Sequence, residues 1–187
     1  DGDQLLYLIM QFYIKEGYKF GGVVGTHMTN LAFEEKCKMQ SIPFARANVG
    51  DRYVSEELDR RRWILGGENS GHILVKNLHS TGDGIISALQ VLSYLVKNKK
   101  SLKSALTEIQ LYPQILINIP TENKVNLKSK TIKDAIKESE IIMKGKGRIL
   151  IRASGTQPLV RVMTEGPLRK EVLKAAKFLT EKIKEII

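Results

Sequence analysis

Residues 4–48, QLLYLIMQFYIKEGYKFGGVVGTHMTNLAFEEKCKMQSIPFARAN, decide the fold. Residues 4–16 have helical length and apolar spacing, with Asp3 placed to cap the first turn. Residues 20–26 (FGGVVGT) read as a short buried strand, residues 30–39 as a helix, and residues 42–48 (IPFARAN) as extended chain again. Helix, strand, helix, strand is the order of an α/β layer fold.

Outward from this stretch, a helix is expected at 53–61, strands at 63–67 and 72–76, and a long apolar helix at 83–97, which completes a unit at residues 1–112. The pattern changes after Tyr112-Pro113. QILINIP is a strand bounded by prolines, followed by a helix at 131–143 and strands at 147–153 (GRILIRA) and 159–166 (LVRVMTEG). An amphipathic helix at 168–186 ends the chain, with Leu173, Ala176, Phe178, Leu179 and Ile183 as its apolar side. The fold expected is therefore a mixed-sheet α/β unit, then at residues 113–187 a small α+β unit with an antiparallel sheet and helices on one face.

Composition bounds the function. The chain of 187 residues with 42% hydrophobic content fills real cores without staples. Its single cysteine, Cys37, excludes an internal disulfide and a multi-cysteine metal site, which fits a reducing, cytoplasmic setting. No apolar run reaches the ~18 residues needed to span a bilayer, so no membrane partner is expected. The start, Asp1-Gly2-Asp3, is acidic where a signal peptide is basic, and the missing initiator methionine reads as a fragment or processed chain. The formal charge of +10 is uneven. Residues 1–112 hold 14 Lys and Arg against 12 Asp and Glu, or +2; residues 113–187 hold 16 against 8, or +8. Lysines spread along helices with almost no aromatics between them make a solvated face rather than a nucleic-acid platform, while the field still favours an anionic small molecule.

Two loops carry chemistry. Arg152-Ala-Ser-Gly-Thr-Gln-Pro-Leu-Val-Arg161 lies between two expected strands. Ser154, Gly155 and Thr156 offer hydroxyls and approachable amides, and Arg152 and Arg161 add planar forks that bind phosphate oxygens in pairs. On composition alone an ordinary hairpin turn is the preferred reading, since serine and glycine are turn residues. Leu65-Gly-Gly-Glu-Asn-Ser-Gly-His72 ends a strand; Glu68, Asn69 and Ser70 suit sugar hydroxyls, and His72, an imidazole able to give or take a proton, is a candidate to assist proton transfer. A Gly-rich turn with Glu68 and His72 satisfying one another is the alternative. Gly50, Asp51 and Arg52 are candidates to line a cleft, but a cap for the helix that follows is the preferred reading of Asp51. Thr81 and Asp83 look like helix-start residues ahead of the long apolar helix. Asp1-Gly2-Asp3 supplies two carboxylates without a third ligand and is not read as a metal site, and His27 is read as structural.

GENSGH at 67–72 and RASGTQPLVR at 152–161, in this order, resemble the two recognition loops of the α-D-phosphohexomutase superfamily, a Gly-Glu-x-Ser-Gly loop in its third domain and an Arg-x-Ser-Gly-Thr-Glu-Pro loop in its fourth. DGDQLLYLIM at 1–10, IPFARANVGDRYV at 42–54 and TGDG at 81–84 extend the likeness over essentially the whole chain, nearest to the amino-sugar branch. The resemblance implies an isomerase that interconverts glucosamine 6-phosphate and glucosamine 1-phosphate through a bisphosphorylated sugar, supplying UDP-N-acetylglucosamine. It implies Mg2+ and a phosphoserine in amino-terminal domains that this sequence does not contain, and it leaves a homodimer open. The sugar contacts would be Glu68, Asn69, Ser70 and His72; the phosphate grip Arg152, Ser154, Gly155, Thr156 and Arg161. Without the serine and the metal loop, the chain is expected to be inactive by itself. Gln157 stands where the family has Glu, and Ala153 where Pro or Lys is frequent. A glucose- or mannose-phosphate member of the superfamily is the second reading, and a basic nucleic-acid-binding module the third.

Overall fold

A computed structural model describes residues 1–121, 125–154 and 157–187. The chain forms two compact units, Asp1–Leu111 and Tyr112–Ile187.

In the first unit the order is α1 (Gly2–Lys15), β1 (Val23–Thr26), α2 (Leu31–Met39), β2 (Phe44–Ala47), α3 (Asp51–Arg61), β3 (Leu65–Gly67), β4 (Ile73–Val75), α4 (Gly84–Lys97) and α5 (Leu102–Leu106). The sheet runs β2-β1-β3-β4, with β1 parallel to both β2 and β3 and β4 antiparallel to β3. Alternation of side chains along the strands splits the core between two faces. Val23, Leu65, Ile73 and Val75 join Leu6, Ile9, Phe33, Val91 and Tyr94 of α1, α2 and α4; Val24, Ala45, Ala47 and Leu74 join Val54 and Leu58 of α3. Helices α2 and α3 fall on opposite faces because the chain first moves outward from β1 to β2 and then back across β1 to β3, and right-handed crossovers in opposite directions use opposite faces. Buried residues run all round α1, as a helix covered on every side requires. The outer face of α4, by contrast, leaves Ile85, Leu89, Leu92 and Val96 exposed.

Two details differ from expectation. Asp1, not Asp3, caps α1: its carboxylate accepts from the Asp3 N–H, and Gln4 returns a bond to complete a capping box, so the helix starts two residues earlier. The helix α5, capped by Ser101, was not expected, because five residues carry too little periodicity to read. Cys37 is wholly buried against Met10, and burial pushes its thiol up to about 12, so it is a core residue rather than a nucleophile.

The second unit holds β5 (Gln114–Pro120), α6 (Lys130–Ile142), β6 (Arg148–Ala153), β7 (Leu159–Glu165) and α7 (Arg169–Lys184). The sheet is antiparallel, ordered β5-β7-β6. Ile119, Val160 and Val162 face Ile132 of α6 and Leu179 and Ile183 of α7 on one side. The apolar stripe of α7 is Val172, Ala175, Ala176, Leu179 and Ile183; Leu173, expected in it, is 39% exposed because the stripe follows 3.6-residue spacing from Val172. Among the described residues no helix is long and apolar enough to cross a membrane.

Candidate functional site

The parallel strands β1, β2 and β3 end on one edge of the first sheet, and the loops that leave that edge are residues 27–30, 48–50 and 68–72. In α/β sheets this carboxyl edge is where ligands bind.

Loop 68–72 joins β3 to β4 as a closed turn. The Glu68 N–H donates to the His72 carbonyl at 3.0 Å, and the Gly71 N–H to the Glu68 carbonyl at 3.0 Å. Gly71 lies at φ +100°, a conformation that L side chains resist, as does Gly50 at φ +127°. The Glu68 carboxylate reaches across to accept from the Gly50 N–H at 2.9 Å, which ties loop 68–72 to the start of α3. Asn69 is half-buried with its carbonyl accepting from the Gly2 N–H at 3.0 Å, while Ser70 is exposed.

His72 stands beside Asp51, Nε2 to Oδ2 3.7 Å, and the Nε2 atom is buried without a hydrogen-bond partner. Gly82 lies against the same ring: a Cβ there would sit 2.3 Å from Nε2. Loops 50–51, 68–72 and 81–84 therefore converge. Asp51 is not the cap of α3, contrary to the capping expectation; Gly50 occupies that position without a side-chain bond, and Asp51 is the first helical residue. Arg52 does not join the group, since its guanidinium turns along α3 to Glu56 at 2.7 Å. Asp83 caps α4 as expected, accepting from the Ile85 and Ile86 N–H groups at 2.8 and 2.9 Å.

Two neighbours were given no part in the site by sequence. His27, at the end of β1, lines an open depression of about 350 Å³ with Arg46, Asn48, Tyr53 and Arg60. Arg46 holds the loop after β1, donating to the Thr26 and Thr29 carbonyls, both at 2.8 Å, and to Glu34 at 2.6 Å. Its position inside a strand was the available signal: an arginine on a sheet between α/β layers needs partners.

In the second unit the sheet face away from α6 and α7 carries three cross-strand rows. At one end Gln114, Glu165 and Arg148 lie side by side; Glu165, wholly buried, accepts from Arg148 at 2.6 Å and from Gln114 at 2.5 Å. Leu116, Met163 and Leu150 form the middle row. At the other end stand Asn118, Arg161 and Arg152, two cations directly opposite one another. Like charges so placed repel. Among the described residues neither guanidinium forms an ion pair, and Arg161 Nε is buried without a hydrogen-bond partner. The geometry suits a dianion lying across both forks. Ser154 closes the turn, its N–H donating to the Leu159 carbonyl at 2.9 Å and its Oγ accepting from the Gln157 N–H at 3.2 Å. Gly155 and Thr156, expected in the phosphate grip, lie outside the described residues.

Comparison with known proteins gives the same two parts. Residues 1–112 match the family model described as phosphoglucomutase/phosphomannomutase, alpha/beta/alpha domain III, and residues 116–182 that of the C-terminal domain. The chain is 49% identical over 186 residues to a phosphoglucosamine mutase of Methylobacillus flagellatus and 46% identical over 184 residues to one of Idiomarina loihiensis. These alignments cover 99% and 98% of the chain but only 41% of each relative, so the chain spans less than half the length of the relatives it matches. Among solved structures, Aspergillus fumigatus N-acetylphosphoglucosamine mutase superimposes with a TM-score of 0.80 at 20% identity, over all of this chain and 43% of that one.

Proposed function

The chain belongs to the phosphoglucomutase/phosphomannomutase family, of which it holds domain III and the C-terminal domain, and from that premise we propose that it is the substrate-recognition half of a phosphoglucosamine mutase. The whole protein would interconvert glucosamine 6-phosphate and glucosamine 1-phosphate in the cytoplasm. Arg152 and Arg161, with Ser154, Gly155 and Thr156, would hold the phosphate that does not react. Glu68, Asn69, Ser70 and His72 would hold the sugar hydroxyls. Because either phosphate must be presentable for transfer, a firm grip on one phosphate and adaptable contacts to the ring suit a substrate that binds in two orientations. Nucleophilic serine and metal belong to domains outside this sequence. Within this chain the Asp1 carboxylate is committed to capping α1.

The observation that carries this reading is the Arg161–Arg152 pair: the same sheet face supplies Arg148 with a buried carboxylate and, among the described residues, leaves these two without one. The test is a titration of the 187-residue chain with glucosamine 6-phosphate, mannose 6-phosphate and inorganic phosphate, followed by amide chemical shifts. Shifts at both 67–72 and 152–161, larger for the amino sugar, are expected, with an affinity loss of about tenfold in Arg161→Lys, where the bidentate fork is gone. Shifts confined to one loop, or an equal response to all three ligands, would overturn the assignment.

A further inference from the structure

We infer that Gly2 and Asp3, at the amino end of α1, are positioning residues for the sugar site, holding loops 68–72 and 27–30, two of the three loops at the carboxyl edge of the sheet, in place from beneath. The inference rests on the sugar-recognition reading only for the name of the site; the positioning itself stands on geometry.

Asp3 has no work as a cap, since Asp1 and Gln4 already form the capping box. Yet Asp3 is 1% exposed, and a buried carboxylate is costly unless it is bonded. Its Oδ2 accepts from the Asn30 N–H at 2.8 Å. Asn30 is the residue that ends the loop after β1 and caps α2, its own side chain accepting from the Ala32 N–H at 3.1 Å. The position of loop 27–30 is thus set by α1, with Arg46 holding the loop from β2.

Gly2 does the same for loop 68–72. Its N–H donates to the Asn69 carbonyl, and a Cβ on Gly2 would meet the Glu68 carbonyl oxygen at 2.3 Å, the Gly71 nitrogen at 2.5 Å and the Asn69 carbonyl oxygen at 2.7 Å. All three are backbone atoms, so no side chain can swing away to make room. The loop is seated directly on the glycine, and any larger residue must lift it. Lifting it also pulls the Glu68 carboxylate from the Gly50 N–H, so the displacement passes to the start of α3 and to Asp51 beside His72. Both loops rest on one turn of a helix that is otherwise packed into the core, and that is a more rigid support than either loop supplies for itself.

Amide hydrogen exchange on the 187-residue chain tests this without any ligand, comparing Gly2→Ala, Asp3→Ala, Asp3→Asn and, as a control for general loosening of α1, Ile9→Val. Gly2→Ala is expected to lower protection of the Gly50 and Gly71 amides by about tenfold, and Asp3→Ala that of Asn30 by a similar factor, with β1 and β3 amides unchanged. Asp3→Asn, which keeps an oxygen for the Asn30 N–H, should restore most of the protection. Loss spread evenly over the unit, or the same pattern in Ile9→Val, would overturn the inference. Glucosamine 6-phosphate binding is then measured on the same variants. If wild type binds no sugar phosphate while the exchange pattern holds, the functional reading fails and the positioning stands; if wild type binds and the exchange pattern is absent, the reverse follows.

Discussion

Glu165 and Arg161 are four residues apart in the sequence of the second unit and meet opposite fates. Glu165 is wholly buried and bonded from both neighbouring strands, whereas Arg161 stands against another arginine. Truncating Glu165→Ala removes the carboxylate that Arg148 donates to in a largely buried place. Such a change typically costs 3–5 kcal/mol, so a loss of about 3 kcal/mol in urea unfolding is expected for this variant, with Glu165→Gln milder because one acceptor remains. A loss below about 1 kcal/mol would mean that water reaches Arg148 and replaces the carboxylate. Neither role shows in the string LVRVMTEG, where Arg161 and Glu165 fall on the same face by parity and differ only in what lies across the strand. Cross-strand register decides it, and register is a tertiary fact.

At the scale of elements, α3 shows how much a charged helix owes to its own spacing. Glu57 accepts from both Arg60 and Arg61, three and four residues on, and these two arginines, Arg60 first, hold its carboxyl down at about 2. The folded value lies below the unfolded carboxylate value of about 4.3, so the stabilisation is fully present above that value and is lost as pH falls through about 2. Unfolding midpoints of wild type and Glu57→Gln should therefore differ at pH 6 and converge near pH 2, and the gap at pH 6 should narrow in molar salt because the group sits at the surface. A gap that persists at pH 2 would show that the two arginines are not its source. The i,i+3 and i,i+4 spacing of Glu57, Arg60 and Arg61 is visible in the sequence, as are the apolar periods of α1, α4 and α6. The ends of elements were less legible. Asp1 took the cap from Asp3, and Gly50 from Asp51, because a cap is fixed by where the preceding chain turns in, and that depends on what it packs against.

For the whole molecule, each unit has its own core: Leu6, Ile9, Phe33, Leu65 and Tyr94 in one, Ile119, Ile132, Val162, Leu179 and Ile183 in the other. Residues 1–111 and 112–187, produced separately, should each unfold in a cooperative transition followed by circular dichroism, the smaller one at the lower denaturant concentration because less of its surface is buried. A second unit that stays unfolded by itself would show that its core is completed from elsewhere. The sequence by itself determined the layer order, the two-part organisation, the apolar faces of the longer helices and the two loops that mark the family, because these depend on neighbours along the chain and on residue types with one strong preference. Only the tertiary structure decided that loops 50–51, 68–72 and 81–84 meet around His72. It alone seated the first turn of α1 beneath loop 68–72 and set Arg152 opposite Arg161. Each of these is a contact between residues far apart in the chain, and its geometry is set by strand register and helix packing, which no local pattern encodes.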